Sequence, residues 1–251
     1  MRRVESIMGT TVSIDVRSPL VPPAILDTVV AQLRDIDARF SPYRSDSEIS
    51  RLARGEIDAA DCSLDVRHVL SVCDHLATIT GGAFDIRHHR SDGRLDPSGY
   101  VKGWAIEEAA WLIDSAGGRN YSINGGGDIV ARGHAETSRP WRVGIRHPDR
   151  PDRVAAVLHI SDRAVATSGT YERGEHITDP RVARAPTGLR SVTVVGPALG
   201  FADAYATTVF VKGLDGLGWL DEQPDYAAFV ITDDDRTVWT PGMDRYLVRG
   251  D

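Results

Sequence analysis

Apolar side chains recur at helical spacing at Ile25, Leu26, Val29, Val30, Leu33, Ile36 and Phe40, and Pro22 and Pro23 stand where such a helix would open. A second run, Val66, Val69, Leu70, Cys73 and Leu76, follows Ser63, a suitable N-cap, and ends at the breaker pair Gly81-Gly82. Between the two, Ser45 and Glu48 have capping-box spacing ahead of Ile49 and Leu52, which predicts a short helix after the loop FSPYRSD. Further helices are expected from about Val101 to Ala116, stopped by Gly117-Gly118, and from about Phe201 to Val211. Elsewhere the period shortens to alternation, and strands are expected over 10–16, 121–124, 128–132, 141–146, 154–160, 164–167, 191–195, 227–232 and 237–240. Helices and strands mix without a strict βαβ order, which implies an α+β fold rather than a doubly wound sheet. The stretches near 88–98 and 180–190 read as long loops, and there is no internal repeat or low-complexity tract.

Composition narrows the possibilities. A chain of 251 residues can bury a proper core, and residues 1–251 are expected to form a single domain. The formal net charge is -7 and no Lys/Arg cluster stands out, which argues against nucleic-acid binding. No apolar run approaches the length of a membrane span. The start MRRVESIMGTTV has no apolar signal-peptide core and no cysteine to carry a lipid. A cytoplasmic protein without stable membrane insertion is therefore expected. Cys62 and Cys73 sit in no Cys/His pattern, so zinc has no support, and Cys73 reads as a core residue.

Common catalytic fingerprints fail. There is no P-loop and no HExxH, and Ser168 in AVATSG is not the GxSxG of a hydrolase elbow. Gly125-Gly126-Gly127 lacks the last glycine of a dinucleotide fingerprint. His88-His89 reads as a solvated turn. Four constellations remain. Asp203 and Thr207 share a helix face and offer hard oxygens suited to magnesium, although helix capping and back-bonding explain the pair on spacing alone. Asn124–Asp128 could let backbone N–H groups approach a phosphate, or be a simple hairpin turn. TSGTYERGEHITDP brings Ser168, Thr170, His176 and Asp179 into one irregular segment, either a phosphoryl-transfer site or a polar loop. Tyr43, beside Arg44, and Phe84-Asp85 could face a flat ring or the core.

In their order along the chain these stretches resemble one family, the FAD:protein FMN transferases of ApbE type. The resemblance rests on MGTTVSI (8–14), FSPYRSDSEISRL (40–52), TGGAFDI (80–86), DPSGYVKGWAIEEAAWLI (96–113) and INGGGDIVARG (123–133). It continues through VGIRHP (143–148), AVATSGTYERGEHITDPR (164–181), SVTVVG (191–196) and ADAYATTVFVKG (202–213). It implies an ApbE-like, T-fold-related arrangement of mixed helices and antiparallel sheets. It also implies FAD as substrate, Mg2+ as metal, and an acceptor flavoprotein with a target threonine, with AMP as the second product. By position, Met8, Tyr43, Ala83, Phe84, Asp85, Asp96, Lys102, Gly125, Gly126, Ser168 and Gly169 are implied to contact the flavin nucleotide. Gly99 (through its carbonyl), Asp203 and Thr207 are implied metal ligands, and His176 a general base. Two departures stand out. The family's HIIDPRTG is interrupted here, with Val182–Pro186 between Arg181 and Thr187, and its DLGGIAKG is DPSGYVKG. The same site could pass FMN to water, as a magnesium-dependent FAD pyrophosphatase. A non-catalytic flavin-binding protein would not need Asp203, Thr207 and His176 together.

Overall fold

The computed structural model describes residues 1–88, 94–150, 152–170 and 178–248. Its centre is a pair of helices apolar on nearly every side, α4 (Ser98–Ser115) and α5 (Leu199–Lys212), both of which must be covered all round. They cross at glycines. A Cβ on Gly103 would lie 2.7 Å from the backbone of Leu199 and Gly200, so only glycine permits this approach. Where α5 begins, Glu107 of α4 accepts the N–H of Leu199 at 2.7 Å and of Gly200 at 3.3 Å, meeting donors that a helix start leaves open. Ile106 and Ile113 are fully buried in α4, and burial of each contributes about 2–3 kcal/mol. Around this pair pack α1 (Ile25–Phe40), α2 (Glu48–Ala53), α3 (Leu64–Ile79) and the short α6 (Asp215–Asp221). Phe40 meets Trp104 edge to face at 5.5 Å, joining α1 to α4.

The sheet is antiparallel throughout, in the order β1-β2-β3-β4-β7-β8-β9-β10. The strands are β1 (Arg2–Ile7), β2 (Thr10–Val16), β3 (Tyr121–Gly125), β4 (Asp128–Arg132), β7 (Arg163–Gly169), β8 (Leu189–Gly196), β9 (Ala227–Thr232) and β10 (Thr237–Trp239). After β4 the chain leaves to form a two-stranded ribbon, β5 (Trp141–Arg146) and β6 (Val154–Ile160), then returns as β7. The period-2 alternation of the strands sorts their side chains into two cores. Ala164, Ala166, Val192, Val194, Ala228 and Val230 face the helices. Val165, Val195, Ala227, Phe229 and Ile231 face the ribbon with Ile145, Leu158 and Ile160. Three layers result: helices, sheet and ribbon. The α+β reading holds.

Several boundaries differ from the sequence reading, each for a local reason. The short helix is capped by Ser47, not Ser45, with Ser47 Oγ accepting the Ser50 N–H at 3.1 Å. Glu48 turns away from any capping box and accepts the Ser63 N–H at 2.6 Å. Helix α4 starts at Ser98 rather than near Val101, because Asp96 Oδ1 accepts the Ser98 N–H at 3.0 Å. Strand β7 runs to Gly169, so Ser168 stands in a strand and not in an irregular segment. Strand β1 was not expected, since RRVESI shows little apolar alternation, yet it pairs with β2 along its whole length. Helix α6 was also not expected. Among the described residues no helix is long and apolar enough to cross a membrane.

Burial holds the Glu107 carboxyl above its usual range, although the Leu199 and Gly200 N–H groups oppose the shift. A carboxyl with a raised folded-state pKa gives stability that is complete below the unfolded value of about 4.5 and is lost as pH rises through the folded value. Glu107→Gln removes this titration. The melting temperature of the wild type relative to Glu107→Gln should therefore fall as pH is raised from about 4.5 toward neutrality. A difference that stays flat or grows would contradict the assignment.

Candidate functional site

At the N-terminal half of α4 and the second turn of α5 the chain leaves a cavity of about 730 Å³, a size suited to a cofactor-like molecule. One wall is the segment between α1 and α2. Tyr43 there is 75% exposed, so its ring stands open rather than in the core. A second wall follows α3, where Gly81 and Gly82 turn the chain at φ 63° and 77°. Thr80 Oγ1 then accepts the Phe84 N–H at 3.1 Å, fixing the segment Ala83–Ile86 against the cavity. Phe84 is buried and packs so close to Gly99 that a Cβ there would be 3.3 Å from its ring. Burial alone would raise the Asp85 carboxyl, but His88 Nδ1 at 2.7 Å and the Arg87 N–H outweigh it and hold the group below its usual range. His88 thus serves Asp85, while His89 lies outside the described residues.

The third wall carries the charges. Asp203 is buried on the second turn of α5, so it does not cap that helix. Thr207, one turn on, bonds to Ser168 Oγ at 3.2 Å, tying α5 to β7. Lys102, on α4, points between two carboxylates, with Nζ 2.5 Å from Asp128 Oδ2 and 3.9 Å from Asp203 Oδ2. Asp128 is almost wholly buried, and its other oxygen accepts the Thr167 N–H at 3.1 Å. It is the site residue that sequence reasoning missed. The signal was present, a lone aspartate after three glycines at the start of a buried strand, but it read as the end of a turn.

Two-residue hairpins border the site, the β1–β2 turn on this cavity and the β3–β4 turn on an adjoining groove. Met8 and Gly9 join β1 to β2 with φ 58° and 68°, and such a conformation is costly for methionine. Gly126 and Gly127 join β3 to β4 with φ 65° and 101°, and a Cβ on Gly126 would collide with Thr10 Oγ1. The hairpin reading of this loop therefore holds.

Of the positions singled out in the sequence, Met8, Tyr43, Ala83, Phe84, Asp85, Asp96, Gly99, Lys102, Ser168, Asp203 and Thr207 all line this one cavity. Gly126 lines an adjoining groove instead. Gly125 packs against Ile106, and Gly169 is paired in the sheet with Ser191, so neither opens on the cavity. His176 lies outside the described residues. The interrupted stretch after Asp179 folds back on itself, the Asp179 N–H donating to the Arg184 carbonyl at 2.8 Å. Arg181 Nε and NH2 grip the Asp179 carboxylate at 2.9 and 2.8 Å and hold it below its usual range.

Gly99, Asp203 and Thr207 offer a carbonyl, a carboxylate and a hydroxyl, without sulfur or imidazole. That donor chemistry fits a hard cation such as magnesium and disfavours zinc or copper. Lys102 adds an ammonium suited to a phosphate. Oxygen donors, an ammonium and both exposed and buried aromatic rings thus share the lining of one cavity.

The chain belongs to the ApbE family, whose profile matches residues 8–90 and 86–230. It is 33% identical to the FAD:protein FMN transferase of Rhodobacter capsulatus over 89% of this chain, and 30% identical to that of Salmonella typhimurium over 83%. The chain spans about half the length of these curated relatives, 41% of the first and 61% of the second. Its fold matches the flavin transferase ApbE from Vibrio cholerae with a TM-score of 0.85 at 23% identity, covering 98% of this chain and 99% of that one. The ApbE protein of Thermotoga maritima gives 0.83 at 20% identity, covering 97% and 98%.

Lys102 and Asp128 should behave as a coupled pair. Asp128→Ala removes the nearer of the two carboxylates beside the Lys102 ammonium and should destabilise the fold by about 3 kcal/mol. In a double-mutant cycle with Lys102→Met, urea unfolding should give a coupling of about 1 kcal/mol or more. Simple additivity would mean that Asp128 does not hold the lysine.

Proposed function

We propose that this chain moves the FMN half of FAD onto a threonine hydroxyl of an acceptor flavoprotein and releases AMP, with magnesium held by Gly99, Asp203 and Thr207. Residues 1–251 form the transferase domain in this reading. The observation that carries it is the make-up of one cavity: Lys102, Asp203 and Thr207 suit a diphosphate and its metal, while Tyr43 and Phe84 offer surfaces for a flat ring. The names of the curated relatives, FAD:protein FMN transferase, support it.

When bound, magnesium supplies charge neutralisation at the diphosphate and at the departing AMP. Lys102 adds positive charge beside it, and Asp128, anchored by the Thr167 N–H, keeps that ammonium aimed. In the transfer, the threonine oxygen bonds to the phosphorus of the FMN half as the bridging P–O bond to AMP breaks. The hydroxyl proton must leave, and His176 is assigned as its acceptor from its family position. Asp179 is the weaker candidate, because the Arg181 guanidinium holds its carboxyl low.

The test is incubation with FAD, magnesium and candidate flavoproteins, read by mass spectrometry. An acceptor should gain one FMN, and AMP should appear in equal amount. AMP without mass gain would favour hydrolysis, and neither product would favour a carrier. Asp203→Ala should abolish transfer, as should a chelator. His176→Ala should slow transfer by roughly 10²–10⁴-fold with FAD affinity little changed. An unchanged rate would remove His176 from the mechanism.

A further inference from the structure

We propose that the open edge of β5 is the docking strand for the acceptor, whose extended segment adds to the ribbon and brings its hydroxyl to the flavin cavity. This rests on the flavin-transfer reading. The ribbon has two edges with different fates. On the outer side of β6, the His159 N–H donates to the Tyr246 carbonyl and the Val248 N–H to the Val157 carbonyl, each at 2.8 Å. Among the described residues, β5 pairs with no strand but β6.

The direction of those bonds fixes what β5 presents. His159 and Val157 aim their backbone groups away from β5, so their register partners, Arg142 and Gly144, form non-hydrogen-bonded pairs with them. The N–H and C=O of Arg142 and Gly144 therefore point outward. Among the described residues these groups meet no other backbone partner, and two such residues at i and i+2 are a template for an added strand.

This edge leads somewhere. Residues 142–146 line one wall of a groove of about 660 Å³, faced by the Gly126-Gly127 hairpin and Thr10. Gly9, Lys102 and Thr167 line both this groove and the flavin cavity, so the two are continuous. A substrate presented on another protein needs such a route, because a globular surface cannot enter a cavity but an extended segment can. A second copy of this chain is the poorer occupant. An antiparallel β5–β5 pairing centred on Gly144 would set Arg142 opposite Arg146, and like charges directly opposed disfavour a strand pair.

The experiment uses Gly144→Pro, which removes one outward N–H at an edge position where proline is tolerated. The substrate is the acceptor flavoprotein found by mass gain, together with a synthetic peptide spanning its FMN-bearing threonine. KM for the acceptor should rise roughly tenfold or more, with FAD affinity and the rate at saturating acceptor unchanged. Independently of whether that variant folds, the wild-type protein should discriminate among peptides N-methylated at successive backbone positions. Transfer should be lost at alternate positions and kept at those between. Equal tolerance of every N-methyl position, or an unchanged KM in a folded Gly144→Pro protein, overturns the docking strand. So does a dimer that Gly144→Pro dissociates. If the wild type transfers no FMN at all, the flavin-transfer reading itself fails.

Discussion

The close crossing of α4 and α5 is the contact on which the rest depends. Without side chains at Gly103 and Gly200, the two helix backbones meet where a single Cβ would force them apart. That approach sets Lys102 and Asp203, one on each helix, 3.9 Å apart. It also sets Glu107 against the start of α5, where its carboxylate meets N–H groups that no earlier turn can satisfy. Apolar burial holds the helices to the sheet, but the glycine contact decides how near their charged residues come.

Strain and burial gather at the same place. Met8 takes a left-handed conformation in a two-residue hairpin, where asparagine or glycine would cost less. Asp128 is buried beside an ammonium, and Asp203 is buried on a helix that is otherwise apolar. Isolated charges are expensive in such settings, and here they stand within reach of one another. A fold selected for stability alone would have filled these positions with apolar side chains. Their clustering is the mark of a binding site.

The ribbon plays a different part from the helices. It covers the far face of the sheet, so that β9 is buried on both sides, and among the described residues only one of its edges is closed by the chain that follows. The groove along the other edge meets the larger cavity at residues on α4 and β7 and in the β1–β2 turn. On the proposed function, the helix–sheet interface takes the small molecule and the ribbon leaves a path for a larger partner.

Much of this was legible in the chain. The apolar spacing in α1 and α3, the Ser63 cap, the glycine stops, the short strands after residue 120 and the mixed order of elements all follow from local sequence. The ordered motifs carried the family and most of the cavity's lining. What the sequence could not supply was decided by contact between distant segments. RRVESI is a strand because β2 offers it a partner. Asp128 matters because Lys102, 26 positions away in the chain by subtraction, ends 2.5 Å from it. Gly125 faces a buried isoleucine rather than the cavity, a matter of which side of β3 the helix covers. The chain by itself determined most of the helices and strands and which chemistry is available, since both depend mainly on near neighbours and residue type. Only the tertiary structure decided which charges meet and which strand edge stays open, because those depend on close packing between residues that no local pattern connects.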